Sequence, residues 1–202
     1  AVRMRRFAQH DLLIDMLGAG RLGPDHIDAL ARDIAIFHAA QPRAAPHEGF
    51  GTPASIDATL AECLDGLARL TFDRNMTDRV ANAARARAAA LQGAFQTRLR
   101  HGHVRECHGD LHLGNIVLLD GNPTPFDCLE FEPRLRWIDT ASDIAFPFMD
   151  LLHHGRQDLA YRLLNGYLER HGDYAGLAVL PFYVAMRALV RARVRLECAR
   201  QR

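Results

Sequence analysis

The sequence predicts an α+β protein, a mostly helical body into which one small β-hairpin is inserted. Two observations predict it. Most of the chain places apolar residues at the three- and four-residue spacing of amphipathic helices. Residues 104–127 lack this spacing and instead contain β-branched runs and tight-turn residues. Polar residues of the types used in catalysis concentrate in this same segment, so we expect the hairpin to carry the functional site.

The helices are predicted in order along the chain, beginning after a possible short strand at residues 1–7. Each helix has an apolar stripe, such as Ile27, Leu30, Ile34 and Phe37. The glycines at 18, 20 and 23 have the spacing of a nucleotide-binding motif, but a helix precedes them, so we interpret them as a helix end and linker. The predicted helices span about 11–17, 25–40, 55–70, 78–100, 138–152, 156–171 and 177–200.

Composition indicates a globular protein without a strong charge preference. The chain has 202 residues, is 49% hydrophobic and 24% charged, and has a net charge of +1, so neither nucleic acid nor membrane is an expected partner. Four cysteines without a CxxC pair indicate free thiols, and we expect a cytoplasmic location. We interpret the arginines of the final helix as a solvated face or a domain junction. These are Arg187, Arg191, Arg193, Arg195, Arg200 and Arg202.

The hairpin is predicted from a strand at 116–119, turn residues at 120–122 and a returning strand at 124–126. With Gly121 at the centre of the turn, Ile116 faces Phe126. Continued by one residue, this register brings Asn115 beside Asp127 at the base of the hairpin.

The base of the hairpin is therefore a candidate metal site. Asn115 and Asp127 offer hard oxygen ligands, and the preceding loop presents Asp110. Such a sparse oxygen set suits Mg²⁺, which keeps several waters and takes further ligands from phosphates. Asp110, five residues before Asn115, is placed to accept a proton from an attacking hydroxyl.

The same segment resembles a known catalytic loop. His108-Gly109-Asp110, followed by four residues and Asn115, matches the H-x-D-x-x-x-x-N loop of protein kinases and small-molecule kinases. Residues 126–131 lack a glycine after Asp127, so they depart from the protein-kinase D-F-G and are similar to the I-D-x-x-E of aminoglycoside phosphotransferases and choline kinases. The chain looks closest to bacterial bifunctional aminoglycoside-phosphotransferase-like and P-loop ATP-binding proteins, over nearly its whole length.

The resemblance implies the helical C-terminal lobe of a protein-kinase-like fold. Residues 1–202 would then comprise a hinge strand at about 1–7, a helical part at 11–100, the catalytic loop and hairpin at 104–131, and C-terminal helices at 137–200. It also implies roles for individual residues. These are Asp110 as catalytic base, His108 as the residue that orients the loop, Asn115 and Asp127 as Mg²⁺ ligands, Val117 and Met4 as contacts to ATP, and Asp143 as a structural support.

Such an enzyme also needs a lysine, its glutamate partner and a phosphate-covering loop. The chain contains no lysine. We therefore expect the N-terminal lobe, and a P-loop domain where there is one, to lie outside this sequence. The intact polypeptide is expected to be an ATP- and Mg²⁺-dependent phosphotransferase acting on a hydroxyl of a small molecule, and this portion alone to be inactive or nearly so.

Other interpretations stay open. The chain could be a non-catalytic, kinase-like domain that binds nucleotide or regulates an adjoining domain. His108, Asp110 and His112 could instead be ligands of a metal-dependent hydrolase, and Asp110 and Asn115 could be simple turn residues. Four further acidic residues could receive a cationic acceptor, although solvated surface is the favoured interpretation. They are Glu130, Glu132, Asp139 and Asp150.

Overall fold

In the computed structural model, which describes residues 7–71 and 73–200, most of the described chain is helical. The α+β, mostly helical class predicted from the sequence is confirmed. The helices are α1 (Leu13–Gly18), α2 (Pro24–Ala40), α3 (Pro53–Leu70), α4 (Arg74–Arg100), α5 (Pro133–Arg136), α6 (Thr140–His153), α7 (Gln157–His171) and α8 (Leu180–Arg200). The strands are β1 (Val104–Glu106), β2 (Ile116–Leu119), β3 (Asn122–Pro125) and β4 (Trp137–Asp139).

Capping side chains explain where the long helices begin. Helix α3 starts at Pro53, and the side chain of Thr52 accepts a hydrogen bond from Ser55 N at 3.1 Å. Helix α4 starts four residues earlier than predicted, because Asp73 caps it by accepting from Met76 N at 2.9 Å. None of the described helices has the length and apolar content needed to cross a membrane.

Helices α2, α6, α7 and α8 surround the main hydrophobic core. Ile27, Leu30 and Ile34 are buried on α2, as their spacing predicts, but Phe37 on the same stripe is 38% exposed. Val80 of α4 is likewise 39% exposed. Phe37 lines an open cleft beside the hairpin, and Val80 lines an apolar groove between α4 and α8, so neither side chain is covered by a neighbouring element.

The hairpin forms where it was predicted, but its predicted register is wrong by one residue. Ile116 pairs with Pro125 rather than with Phe126. The turn contains two residues, Asp120 and Gly121, with φ values of 50° and 82°. Positive φ at both central positions is the geometry of a type I′ turn, which matches the twist of the strands, and the two-residue turn shifts every pair by one.

A second two-stranded sheet replaces the start of a predicted helix. Strands β1 and β4 pair antiparallel, with Val104 opposite Asp139. The prediction of helix from residue 138 was wrong for this reason, and α6 begins only at Thr140, after Asp139 caps it by accepting from Ala141 N at 2.8 Å. This ladder fixes the chain entering residue 107 against the start of α6.

A buried ion cluster fastens this sheet to the helices. Arg98, near the end of α4, donates to Asp139 at 2.6 and 2.8 Å and to Asp173 at 2.9 and 2.6 Å. All three side chains are buried. Asp139 is therefore a structural partner of Arg98 and not the solvated acidic surface favoured from the sequence.

Candidate active site

Helix α6 holds the beginning of residues 108–115, the segment that the sequence predicts to be catalytic and that is called the catalytic segment for this reason. The fully buried carboxylate of Asp143 accepts hydrogen bonds from His108 N at 3.2 Å and Gly109 N at 2.9 Å. Two backbone amides that a sharp turn would otherwise leave unpaired in the interior are satisfied in this way. The structure thus places Asp143 directly behind the loop, where the resemblance expects a supporting aspartate.

A buried histidine completes the support. His38 Nε2 lies 3.0 Å from Asp143 Oδ2, and His38 Nδ1 lies 2.9 Å from the hydroxyl of Tyr167. A carboxylate only accepts, so Nε2 carries the hydrogen. Burial alone would raise the pKa of Asp143, but the hydrogen bond from His38 and nearby positive charge more than offset it, and the net pKa is lowered. Sequence reasoning missed His38, although its place four residues after Ile34 put it on the buried stripe of α2.

The other end of the segment is held by a second aspartate of α6. Asp150 Oδ2 accepts a hydrogen bond from Leu113 N at 3.0 Å, and Arg191 Nε of α8 lies 3.7 Å from Asp150 Oδ1. Asp150 is 2% exposed. The interpretation of this residue as solvated surface is wrong, because its carboxylate is needed to satisfy a buried amide.

His108 connects the loop to the hairpin. Its Nε2 bonds to the carbonyl oxygen of Phe126 at 2.8 Å, and Asp110 N donates to its Nδ1 at 3.3 Å. These two bonds fix the tautomer with hydrogen on Nε2. Both ring nitrogens are occupied by backbone groups, which leaves His108 no lone pair for the metal of a hydrolase site.

Asp110 and Asn115 are in direct contact. Asn115 Nδ2 donates to the backbone oxygen of Asp110 at 3.0 Å and to its carboxylate at 3.1 Å. His112 Nε2 lies 3.5 Å from the same carboxylate. Burial would raise the pKa of Asp110, but the interaction with His112 and the charge of Arg187 outweigh it, and the net pKa is lowered. The side chain of Asp110 is 32% exposed, so its ionised carboxylate faces an accessible space.

Asp127 lies just beyond the hairpin on the same cleft. Phe126 N donates to Asn115 O at 3.0 Å, so Phe126 is opposite Asn115 and the expected position of Asp127 beside Asn115 was wrong by one residue. Asp127 has a φ of 59° and is exposed. Asp110 and Asp127 together line an open cavity of about 640 Å³.

The donor set fits a hard cation. Because Asn115 uses its nitrogen to bond Asp110, its amide oxygen is the atom left to bind a metal. Asp127 offers an exposed carboxylate on the cavity that it lines together with Asp110. Oxygen ligands in this number suit Mg²⁺, which completes its shell with water and phosphate oxygens.

The two candidate contacts to ATP are placed differently. Val117 is 1% exposed, and its backbone bridges to Leu12, so its side chain belongs to the interior in this structure. Met4 and most of the expected hinge strand at 1–7 lie outside the described residues. The adenine-binding role of both residues stays a prediction.

One further group of ligand-type atoms lies behind the loop. The ligand atoms of His38, Cys107 and Asp143 lie within 4.8 Å of one another. Each is buried, and His38 and Asp143 already bond to each other, to Tyr167 and to the loop amides. Burial also raises the pKa of the Cys107 thiol. We therefore interpret the group as part of the hydrogen-bond network and not as a metal site.

Comparison with known proteins finds relatives without an assigned activity. The chain is 36% identical over 208 aligned residues to the uncharacterized protein Rv2004c of Mycobacterium tuberculosis and to the uncharacterized protein Mb2027c of Mycobacterium bovis. The match includes 98% of this chain, which spans only 40% of the length of these relatives. No protein-family model matches the chain, and no solved structure matches it.

Proposed function

We propose that the intact polypeptide transfers the γ-phosphoryl group of ATP to a hydroxyl of a small molecule. The observation that carries the proposal is the contact between Asp110 and Asn115, at 3.1 Å, on a cleft that Asp127 also lines. Its sequence context, with His108 two residues before Asp110, supports the same chemistry. Free cysteines fit our further proposal of a cytoplasmic location.

Asn115 and Asp127 would hold the magnesium ion, through the amide oxygen and the carboxylate. When bound with ATP, Mg²⁺ supplies positive charge that neutralises the phosphate oxygens. Asp110 would accept a hydrogen bond from the acceptor hydroxyl and orient its oxygen toward the phosphorus. A carboxylate is a weak base toward an alcohol, so Asp110 takes the hydroxyl proton late, as the bond from the acceptor oxygen to phosphorus forms and the bond from phosphorus to the departing ADP breaks.

The rest of the chain keeps Asp110 in one position. Asn115 bonds to both its backbone and its carboxylate, and Asp143 and Asp150 bond to amides on either side of it. A carboxylate that is already oriented loses little freedom when substrate binds, and such pre-organisation lowers the activation free energy.

The test is ATP turnover by the full-length polypeptide with Mg²⁺ and a panel of amino-sugar and amino-alcohol acceptors. Phosphorylated product is followed by ³¹P NMR. We expect Asp110→Asn to lower turnover by about 100-fold or more, because the proton acceptor is lost. Asp78→Asn, which removes the same charge from an exposed position on α4, should match the wild type.

Three outcomes are distinguishable. Acceptor phosphorylation that is lost in Asp110→Asn supports the phosphotransferase. Nucleotide binding without transfer to any acceptor, equal in the wild type and Asp110→Asn, would contradict it and favour a regulatory nucleotide-binding domain. Substrate hydrolysis without ATP would favour the metal hydrolase instead.

A further inference from the structure

We propose that helix α8 positions the catalytic segment through two arginines one helical turn apart, Arg187 and Arg191, and that this contact sets the rate of turnover and not the binding of substrate. The structural part of the proposal depends only on the contacts of Arg187 and Arg191. Its kinetic part rests on the proposed phosphotransferase function.

Arg187 joins three elements. Its Nη1 donates to the carbonyl oxygen of Gly109 at 3.1 Å, and its Nε donates to the carbonyl oxygen of Ser142 at 3.0 Å. Its guanidinium carbon lies 4.8 Å from the centre of the Phe146 ring. Helix α8 is therefore tied to the catalytic segment and to α6 by one side chain.

Arg191 reaches the other end of the segment through Asp150. Arg191 Nε lies 3.7 Å from Asp150 Oδ1, and Asp150 Oδ2 accepts from Leu113 N at 3.0 Å. Gly109 directly precedes Asp110, and Leu113 follows it by three residues. The two arginines thus control both ends of the short stretch that carries Asp110.

A row of ring contacts supports Asp110 from the side. Phe146, beneath the guanidinium of Arg187, meets the ring of His112 edge-on with 5.5 Å between ring centres. His112 Nε2 in turn lies 3.5 Å from the Asp110 carboxylate. A displacement of Arg187 would therefore move Asp110 in two ways. It would shift the backbone at Gly109, and it would shift the His112 ring that lies beside the Asp110 carboxylate.

The chemistry of the contact is specific to arginine. A planar guanidinium donates in several fixed directions, whereas a lysine ammonium is a compact charge on a flexible stem. The hydrogen-bond partners of Arg187 are two carbonyl oxygens and not a carboxylate, so it gains less than a direct ion pair in return for lost hydration. A role in positioning the catalytic segment therefore explains the arginine at position 187 better than a contribution to the free energy of unfolding does.

The experiment uses the full-length polypeptide with Arg187→Met, Arg187→Lys, Arg191→Met and the double methionine variant. Arg195→Met is the matched control, since Arg195 lies on the same helix but is exposed, and its Nη1 lies 3.1 Å from His153 Nε2, away from the catalytic segment. Two readouts are taken. They are kcat and KM for ATP and acceptor, and amide hydrogen exchange at Gly109 and Leu113 relative to core amides of α7.

We expect Arg187→Met to lower kcat by about 10- to 100-fold with both KM values within about twofold, because a small misplacement of a catalytic group slows chemistry more than binding. Arg191→Met should lower kcat by less, since its contact is longer and indirect. Arg187→Lys should restore part of the rate through one of the two hydrogen bonds. Exchange should accelerate at Gly109 in Arg187→Met and at Leu113 in Arg191→Met, while α7 amides keep their wild-type rates.

The two readouts separate this proposal from the proposed function. If the wild type transfers no phosphoryl group but exchange accelerates locally as expected, the function is wrong and the positioning contact stands. Wild-type exchange at both amides in every variant would overturn the positioning contact. So would a fall in kcat that Arg195→Met shares, or a rise in KM with kcat unchanged.

Discussion

The catalytic segment and residues 127–132 lie on the same cleft but are held in different ways. Around the catalytic segment, Asp143 and Asp150 are 0% and 2% exposed and accept hydrogen bonds from its amides. Residues 127–132 instead begin with an exposed Asp127 at positive φ and include Phe131, which is 81% exposed. Within the described part of the chain, the Asp127 carboxylate has no hydrogen bond or ion pair.

The difference means that the orientations of Asp110 and Asp127 have different physical causes. The proposed base is oriented by the helical body itself, so its geometry depends on buried contacts that also stabilise the fold. The Asp127 carboxylate, the proposed metal ligand, makes no such contact with any residue that the structure describes, so we expect a bound ligand to determine its orientation. Substitutions behind the loop should therefore affect folding, whereas substitutions at Asp127 should affect only ligand binding and turnover.

The largest expected effect is that of Asp143→Ala. The change removes the acceptor of three hydrogen bonds and leaves the buried N–H groups of His38, His108 and Gly109 unpaired. We expect the free energy of unfolding to fall by about 3–5 kcal/mol, measured by urea denaturation. Asp158→Ala, which removes a surface carboxylate paired with Arg156, should change it far less. Equal effects of the two variants would contradict the buried support.

Asp127→Asn tests the exposed carboxylate of residues 127–132. Asparagine has nearly the same shape and tolerates positive φ, so only the charge is lost. We expect the free energy of unfolding to stay within about 0.5 kcal/mol of the wild type. Mg²⁺-dependent turnover of the full-length polypeptide should fall by about 100-fold, with weaker Mg²⁺ binding by calorimetry. A loss of stability as large as that of Asp143→Ala would show that Asp127 is structural.

Sequence reasoning recovered what depends on local pattern. The apolar spacing located the seven longer helices to within a few residues, and the turn residues located the hairpin. It also named Asp110, Asn115 and Asp143, which the structure brings to one loop. These assignments came from the family resemblance more than from periodicity. The spacing of residues does not indicate that Asp143 contacts His108 and Gly109, which lie 35 and 34 positions earlier.

The parts that were missed depend on contacts between distant residues. His38 and Asp143 are 105 residues apart, and Arg187 and Gly109 are 78 apart. In the sequence, Arg187 resembles the exposed arginines of the same helix, and Asp150 resembles a surface acid. The hairpin register was wrong because it depends on the backbone angles of Asp120 and Gly121, and the turn residues fit a two-residue or a three-residue turn equally well.

A smaller loss of stability should appear at acid pH, and it should come from the side chains behind the catalytic segment. His171 stacks on Tyr167, the partner of His38, and burial lowers the pKa of His171 from 6.5 to about 4. Between these values the unfolded chain binds a proton that the folded chain does not, so stability is lost as pH falls from 6.5 to 4 and the loss ends below 4.

The measurement is urea unfolding of the wild type and His171→Phe at pH 7 and pH 4.5. Phenylalanine keeps the stacked ring without a titrating group. We expect the wild type to lose about 1–2 kcal/mol more than the variant between the two pH values, after allowance for the partial exposure of His171. His47→Phe, at an exposed position, is the control and should change this difference little. Equal pH dependence in the wild type and His171→Phe would contradict a neutral, half-buried His171.

The smallest expected effect concerns the turn that sets the position of Asp127. Gly121 has a φ of 82°, and a Cβ added there meets no atom within 4 Å, so Gly121→Ala acts through backbone strain alone. We expect it to lower the free energy of unfolding by about 1 kcal/mol. Gly93→Ala, inside α4 and also without a neighbour within 4 Å, should raise it by about 0.5–1 kcal/mol, because alanine favours helix. Opposite signs for the two glycine-to-alanine substitutions would support the two-residue turn. They would also support the register that places Phe126, and not Asp127, opposite Asn115. A neutral or stabilising Gly121→Ala would contradict both the turn and the register.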